Sequence, residues 1–287
     1  MNNRKNLDVI SRIKTFVKRQ RYIKHNFPDE LLLLKGKHVT NNANQSIIYF
    51  TVHRCASQFI LDILRQCASD TGMTYVNLAS YLWRGGKLYG ENTHDVFKRL
   101  GYIYGPFYGL DREEFTLSIP KFDDFKILLM LRDPRDVLTS YYFHHAYELY
   151  DNPAKEGFVE ERSRETLSKT IDEWVIEKST VFGDRYRTYL FTFADKPNVF
   201  VSKYEDMIQD FNTWLDSLQK FMHINVSAKT LDTILEKTDF RTDKEDVKAH
   251  KRQVVPGDHM RKLKKETISH LNSEFKEILE TLNYSIS

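Results

Sequence analysis

A chain of 287 residues, 41% apolar and 29% charged, holds enough hydrophobic material for a folded core and too much for a disordered segment. Its net charge of +3 is uneven: residues 1–25 hold eight of the 43 basic residues and one of the 40 acidic ones, a balance of +7 that leaves −4 for the rest. The bulk of the chain is therefore not the basic surface of a nucleic-acid binder, and two cysteines, Cys55 and Cys67, are too few for a disulfide scaffold or an unaided structural zinc site.

No apolar run reaches the length of a transmembrane helix, and the first residues show no apolar secretory segment. The reducing cytoplasm is the expected compartment. Residues 1–45 read as a basic helix followed by a linker, and 46–287 as one domain. Ile10, Ile13, Phe16 and Val17 share one face of the N-terminal helix, with Lys14, Lys18 and Arg19 between them. Two readings stand open: a basic amphipathic helix that touches a membrane surface or an acidic partner, or a solvated helix that packs its apolar stripe on the domain. Leu31 to Leu34 is a short apolar run before a polar linker, Gly36 to Gln45.

Ser46 to Val52 is a β-branched and aromatic run that predicts a buried strand. Residues His53 to Ser57 break it, and from Gln58 the period becomes helical, with Phe59, Ile60, Ile63, Leu64 and Cys67 on one face. Strand, tight loop and helix N-terminus make an anion site, and Arg54 adds a cation to it. Thr71 to Arg99, with Trp83, Gly85, Gly86, Gly90 and His94, reads as a loop region over a scaffold. Tyr102 to Tyr108 and Phe125 to Leu131 are the second and third strands, the latter apolar enough to be covered on both faces.

After the third strand comes Arg132-Asp133-Pro134-Arg135-Asp136, with Ser140 further on. Asp133 suits an N-cap and Pro134 the first helical position. Arg132 and Ser140 then describe a phosphate site, or Arg132 a structural ion pair with Asp133 or Asp136. Thr166 to Phe193 predicts a long helix, Asn198 to Lys203 a fourth strand, and Tyr204 onward a helix through Phe221 that Asp206 caps or supports. Residues 227–237 form a short helix, 243–259 a charged loop, and 265–281 an amphipathic helix with Ile268, Leu271, Phe275 and Leu279 inward. Alternating strands and helices predict an α/β fold of three layers, a central mostly parallel sheet between helices. Ligands bind such sheets at the carboxyl ends of strands, where both motif loops and Tyr204 fall.

With these motifs the chain resembles the sulfotransferases that use 3′-phosphoadenosine 5′-phosphosulfate (PAPS). The stretches that carry the resemblance are Arg54-Cys55-Ala56-Ser57-Gln58-Phe59, Arg132 to Asp136 with Ser140, and Lys251-Arg252-Gln253-Val254-Val255-Pro256-Gly257-Asp258. The resemblance implies a P-loop-NTPase-like fold and transfer of a sulfuryl group to a hydroxyl or amine acceptor, with release of 3′-phosphoadenosine 5′-phosphate (PAP). It implies that Arg54 meets the bridging oxygen and the sulfuryl group. Backbone N–H groups of Cys55, Ala56, Ser57, Gln58 and Phe59 would hold the 5′-phosphate, helped by the Ser57 and Gln58 side chains. Arg132, Ser140 and Arg252 would grip the 3′-phosphate under a segment from Gln253 to Gly257. Phe59 and Phe240 would sandwich the adenine, with Tyr204 and Thr238 at its edge. The family requires no metal.

Two departures carry expectations of their own. Ala56 stands where the family has glycine, so the loop is expected to avoid positive φ there. Cys55 reads as a half-buried small residue rather than a reactive thiol. The family's catalytic histidine follows the second strand, and here that stretch is Tyr104-Gly105-Pro106-Phe107. The general base then falls to His94, flanked by Glu91 and Asp95, with His53 and His144 as alternatives and His144 and His145 lining the acceptor pocket. The acceptor is expected to be a small molecule, glycan or lipid. The Tyr- and Trp-rich stretch from Tyr75 to Tyr108 fits an aromatic pocket or simply core. The competing reading is another P-loop-like nucleotide-binding protein, a kinase or a non-catalytic binder, but the Gly-Lys-Ser/Thr ending of the metal-dependent triphosphate loop is missing from residues 53–57. Oligomeric state is not encoded in any of these patterns.

Overall fold

The computed structural model describes residues 2–37, 39–88, 96–111, 120–147, 157–237 and 254–286, with side chains from Lys14 onward. A five-stranded sheet in the order β2-β3-β1-β4-β5 forms its centre. The strands are β1 (Ile47–Thr51), β2 (Thr74–Val76), β3 (Tyr102–Phe107), β4 (Lys126–Leu131) and β5 (Val199–Lys203), and every pairing is parallel. β1 is central and entirely buried, and its neighbours β3 and β4 nearly so, which is why their sequences are continuous apolar runs rather than alternating ones. The fold is the predicted three-layer α/β arrangement. Among the described residues no helix is long and apolar enough to cross a membrane.

The helices preceding β3 are α1 (Asn2–Asn26), α2 (Pro28–Leu33), α3 (Ser57–Thr71) and α4 (Leu78–Trp83). Between β4 and β5 run α5 (Pro134–Tyr147), α6 (Phe158–Leu167) and α7 (Ile171–Phe193). After β5 come α8 (Tyr204–Gln209), α9 (Phe211–Met222), α10 (Ala228–Leu235), α11 (Asp258–Lys262), α12 (Lys265–Glu274) and α13 (Lys276–Thr281).

Several boundaries differ from expectation. The stretch from Thr71 to Arg99 contains β2 and α4, each too short to show a period in the sequence; Asn77 caps α4 by accepting from the Ser80 N–H at 2.9 Å. The long helix expected from Thr166 begins at Ile171, after a separate α6, because Thr170 and Glu173 form a capping box. The helix expected from Tyr204 to Phe221 breaks at Asp210. That residue, not Asp206, caps α9 by accepting from the Thr213 N–H at 3.1 Å, while Asp206 lies in the first turn of α8, 3.8 Å from Lys203. The last helix bends at Phe275 into α12 and α13. On α1, Phe16 and Val17 are 55% and 41% exposed, so this part of the stripe does not pack; burial begins at Ile23 and Phe27. Ile10 and Ile13 lie outside the described side chains.

The core ties the strand ends together. Phe50 of β1 packs against Phe193 and Tyr189 of α7 at ring distances of 5.0 and 5.7 Å. Burying a ring of this size contributes about 2–3 kcal/mol. The Tyr189 hydroxyl donates to the Thr51 carbonyl at 3.0 Å or the Phe107 carbonyl at 3.2 Å, at the carboxyl ends of β1 and β3. Gly105 is required where β3 crosses β1: its φ is +126°, and a Cβ there would lie 2.5 Å from the Tyr49 carbonyl oxygen.

Candidate active site

The loop after β1 turns sharply into α3. Arg54 and Ala56 both take the left-handed conformation, with φ of 68° and 54°. The expectation that Ala56 avoids positive φ is therefore wrong. The turn that aims the helix N-terminus at the strand end requires it, and a methyl group is the smallest side chain that tolerates it. Among the described residues no side chain caps α3, and the first-turn N–H groups of a helix have no carbonyl within it to bond. Cys55 is wholly buried rather than half-buried, and burial pushes its thiol up to about 12 despite the nearby Arg132 charge. Ser57 accepts a hydrogen bond from the Tyr108 hydroxyl at 3.0 Å, Gln58 is exposed, and Phe59 packs edge-on to Phe211 at 5.6 Å.

The loop after β4 meets it. Asp133 caps α5 as expected, accepting from the Arg135 N–H at 2.9 Å, and it pairs with the Arg135 guanidinium at 2.7 Å. Arg132 is 3% exposed. One of its terminal nitrogens donates to the Arg54 carbonyl at 3.1 Å, and the other lies 3.5 Å from Asp136. Its guanidinium stands 4.4 Å over the Tyr204 ring, and its buried Nε has no hydrogen-bond partner among the described residues. The ion pair expected with Asp133 or Asp136 is thus made in part, with Asp136. Arg54 Nε donates to the Ser140 hydroxyl at 3.1 Å. Two loops 78 positions apart in the chain therefore place Arg54, Arg132 and Ser140 at one point beside the N-terminus of α3.

The returning chain is fastened to the same point. Tyr204 donates to the Val254 carbonyl at 2.7 Å. Asp136 is fully buried and accepts from the Gly257 N–H at 2.7 Å, the His259 N–H at 2.9 Å and His259 Nδ1 at 2.6 Å. Burial alone would raise its carboxyl, but His259 and Arg132 hold it well below the usual carboxylate range. The sequence offered Asp136 as a motif residue and an ion-pair partner for Arg132, not as the anchor of the returning chain, and gave no signal for His259. The expected residues Thr238, Phe240, Arg252 and Gln253 lie outside the described residues, as do His94, Glu91 and Asp95.

Beyond Arg54 opens a cavity of about 840 Å³ that reaches α4, α6 and α7. His53, Arg54, Ser57 and Gln58 form its donor-side wall. Its side bears a stack of four nearly parallel rings: Tyr108 on His53 at 4.3 Å, His53 on Tyr141 at 5.1 Å, and Tyr141 on His144 at 5.7 Å. His145 also lines the cavity, packed on Tyr141 at 4.1 Å. Burial first, and then the nearby Arg162, His144, Lys178 and Arg54, together lower its imidazole to about 3. Tyr108 closes the stretch expected to fit an aromatic pocket or core, and it lines this cavity; sequence reasoning missed Arg162 and Lys178, for which there was no signal.

Residues 117–281 match the family model for the sulfotransferase domain, more than half of the chain. The chain belongs to the sulfotransferase family. It is 26% identical to 3-beta-hydroxysteroid sulfotransferase of Cavia porcellus over 124 residues, which is 42% of this chain and 39% of the relative. Sulfotransferase 2A2 of Mus musculus is 28% identical over a stretch of the same length and shares. The chain thus spans about two fifths of the length of these curated relatives. Among solved structures, that of mouse sulfotransferase SULT7A1 complexed with PAP is similar in fold, with a TM-score of 0.53 and 16% identity over 88% of this chain and 90% of that one. The sulfotransferase fold is therefore common to both, and in this chain its two motif loops meet at Arg54.

Proposed function

We propose that this chain transfers a sulfuryl group from PAPS to a hydroxyl or amine acceptor and releases PAP. The observation that carries the reading is the meeting of Arg54, Ser140 and Arg132 at the uncapped N-terminus of α3, a set of donors suited to a polyanion. The Nε of Arg132, buried beside Tyr204 and without a hydrogen-bond partner among the described residues, fits an incoming anion.

PAPS supplies the activated sulfuryl group. The acceptor oxygen or nitrogen bonds to its sulfur as the bond from sulfur to the bridging oxygen breaks. Arg54 neutralises the charge that gathers on that oxygen, the role that an electrostatic clamp plays in phosphoryl transfer. The N–H groups of residues 55–59, with Ser57 and Gln58, hold the 5′-phosphate; Arg132 and Ser140, with Arg252, hold the 3′-phosphate. Phe59, Phe240, Tyr204 and Thr238 frame the adenine. The acceptor enters the cavity past Tyr108 and gives its proton to a general base. His53 and His144 face that cavity, and His94 remains the third candidate. His145 is too weakly basic for the task and serves as a neutral wall. The two free, buried thiols suit a cytoplasmic setting.

The test is PAP binding and PAPS turnover over pooled acceptors, with single alanine variants at positions 54, 53, 94 and 144. Arg54→Ala is expected to lower kcat by about 100- to 1,000-fold, as loss of one transition-state donor does. Full activity in that variant, or a wild type that does not bind PAP, would sink the reading. The histidine whose loss removes the acid limb of the pH–rate profile, the fall in rate as the base becomes protonated, is the base.

A further inference from the structure

The acceptor side of the cavity is charged. Arg84 at the C-cap of α4, Arg162 of α6 and Lys178 of α7 line it together with Arg54, against Glu161 and Glu165 of α6. Among the described lining residues, with the histidines neutral, the balance is two positive charges. The carboxylates sit at its rim: Glu161 is exposed, and Glu165, 65% exposed, lies 4.0 Å from Lys169 outside the cavity. Arg162 is the deep member, 8% exposed, with one nitrogen 3.4 Å from the His144 carbonyl. Lys178 is 34% exposed and lies 2.8 Å from Glu177, whose other oxygen is held by Lys169 at 2.5 Å. Arg54, Arg162 and Lys178 reach this one cavity from three separate segments of the chain.

A wholly apolar acceptor in this space would strip water from these cations and return nothing to them. An acceptor with its own anion replaces that water with charge-assisted hydrogen bonds. Resting on the sulfuryl-transfer reading, we propose that the acceptor is an anionic alcohol, a hydroxyl compound bearing its own carboxylate or sulfate, whose fixed charge docks on Arg162 and Lys178 while its hydroxyl faces Arg54. The distant anchor orients the nucleophile and keeps the acceptor's charge away from the donor's.

The experiment titrates the full chain, saturated with PAP, by calorimetry with three acceptors: 4-nitrophenyl β-D-glucuronide, the 6-sulfate of 4-nitrophenyl β-D-glucoside, and the neutral glucoside. At least one anionic arm is expected to bind about tenfold tighter than the neutral one at low salt, and the gap is expected to narrow as salt rises. A preference for one anionic arm identifies carboxylate or sulfate as the docking group. Arg162→Gln and Lys178→Gln should each remove most of the preference, with PAP affinity measured in parallel to show that the donor site is intact. Lys178 is partly exposed, so its variant keeps the test sound if the Arg162 variant fails to fold. The proposal is overturned if the neutral glucoside binds as tightly as both anions, if no arm binds, or if Lys178→Gln leaves the preference untouched. Failure of PAP itself to bind would instead strike the sulfuryl-transfer reading, and the same titration without nucleotide would still report on the anion site.

Discussion

Cys55 and His145 show how position sets reactivity in individual side chains. Cys55 stands at a helix N-terminus beside Arg132, where a thiol would ordinarily be activated. Burial outweighs both influences and pushes it, like Cys67, up to about 12. Neither thiol is expected to react with a disulfide reagent at neutral pH in the native state, and both should react in denaturant; rapid native labelling of Cys55 would contradict its placement. His145 gives a second test. Its imidazole is lowered to about 3, whereas an unfolded histidine titrates near 6.5. Between those values the unfolded chain binds the extra proton, so stability falls as pH drops from about 6.5 towards 3, by up to about 1.4 kcal/mol per pH unit from this group. Urea unfolding at pH 7 and pH 4.5 should show a smaller loss in His145→Gln than in the wild type.

Among the elements, α5 acts as the junction of the proposed donor site. Its N-terminus is capped by Asp133, its first turn carries Asp136, and its second presents Ser140 to Arg54. Asp136 fastens the residues around Gly257 and the start of α11 to that first turn while balancing Arg132. Replacing a buried carboxylate that serves three donors and a guanidinium leaves those groups uncompensated. Asp136→Asn is expected to cost about 3 kcal/mol in urea unfolding and to weaken PAP binding, because Arg132 loses its neighbour and the 254–257 segment its anchor. Unchanged stability would show that the latch contributes nothing. The α3 turn is the other demanding element, since Arg54 and Ala56 share the left-handed region there.

At the scale of the molecule, the parallel sheet brings the carboxyl ends of β1, β4 and β5 to one edge, so Arg54, Arg132 and Tyr204 become neighbours. A ligand held across several strand ends should stabilise the whole domain. With PAP at about 100 times its Kd, linkage gives about 2.7 kcal/mol, which for a protein of this size raises Tm by about 5–8 °C. No shift with PAP, measured by scanning calorimetry, would count against the donor site.

The sequence by itself determined the sheet-building runs of β1 and β4, the cap at Asp133 and the family, and it pointed to Arg54 and Arg132, which the fold brings together. These are local signals: an apolar run, a capping residue and a strand–loop–helix junction are all written within a few consecutive positions. The tertiary structure decided the rest. β2 and α4 are too short to carry a period, and the breaks at Thr170 and Asp210 depend on caps hidden inside apolar patterns. The left-handed Ala56 follows from the angle at which α3 leaves β1, which no residue type announces. The acceptor cavity draws Trp83, Tyr108, Arg162 and Lys178 from four separate segments. Residues so far apart in the chain share no spacing, and the charge they assemble exists only once the helices have packed.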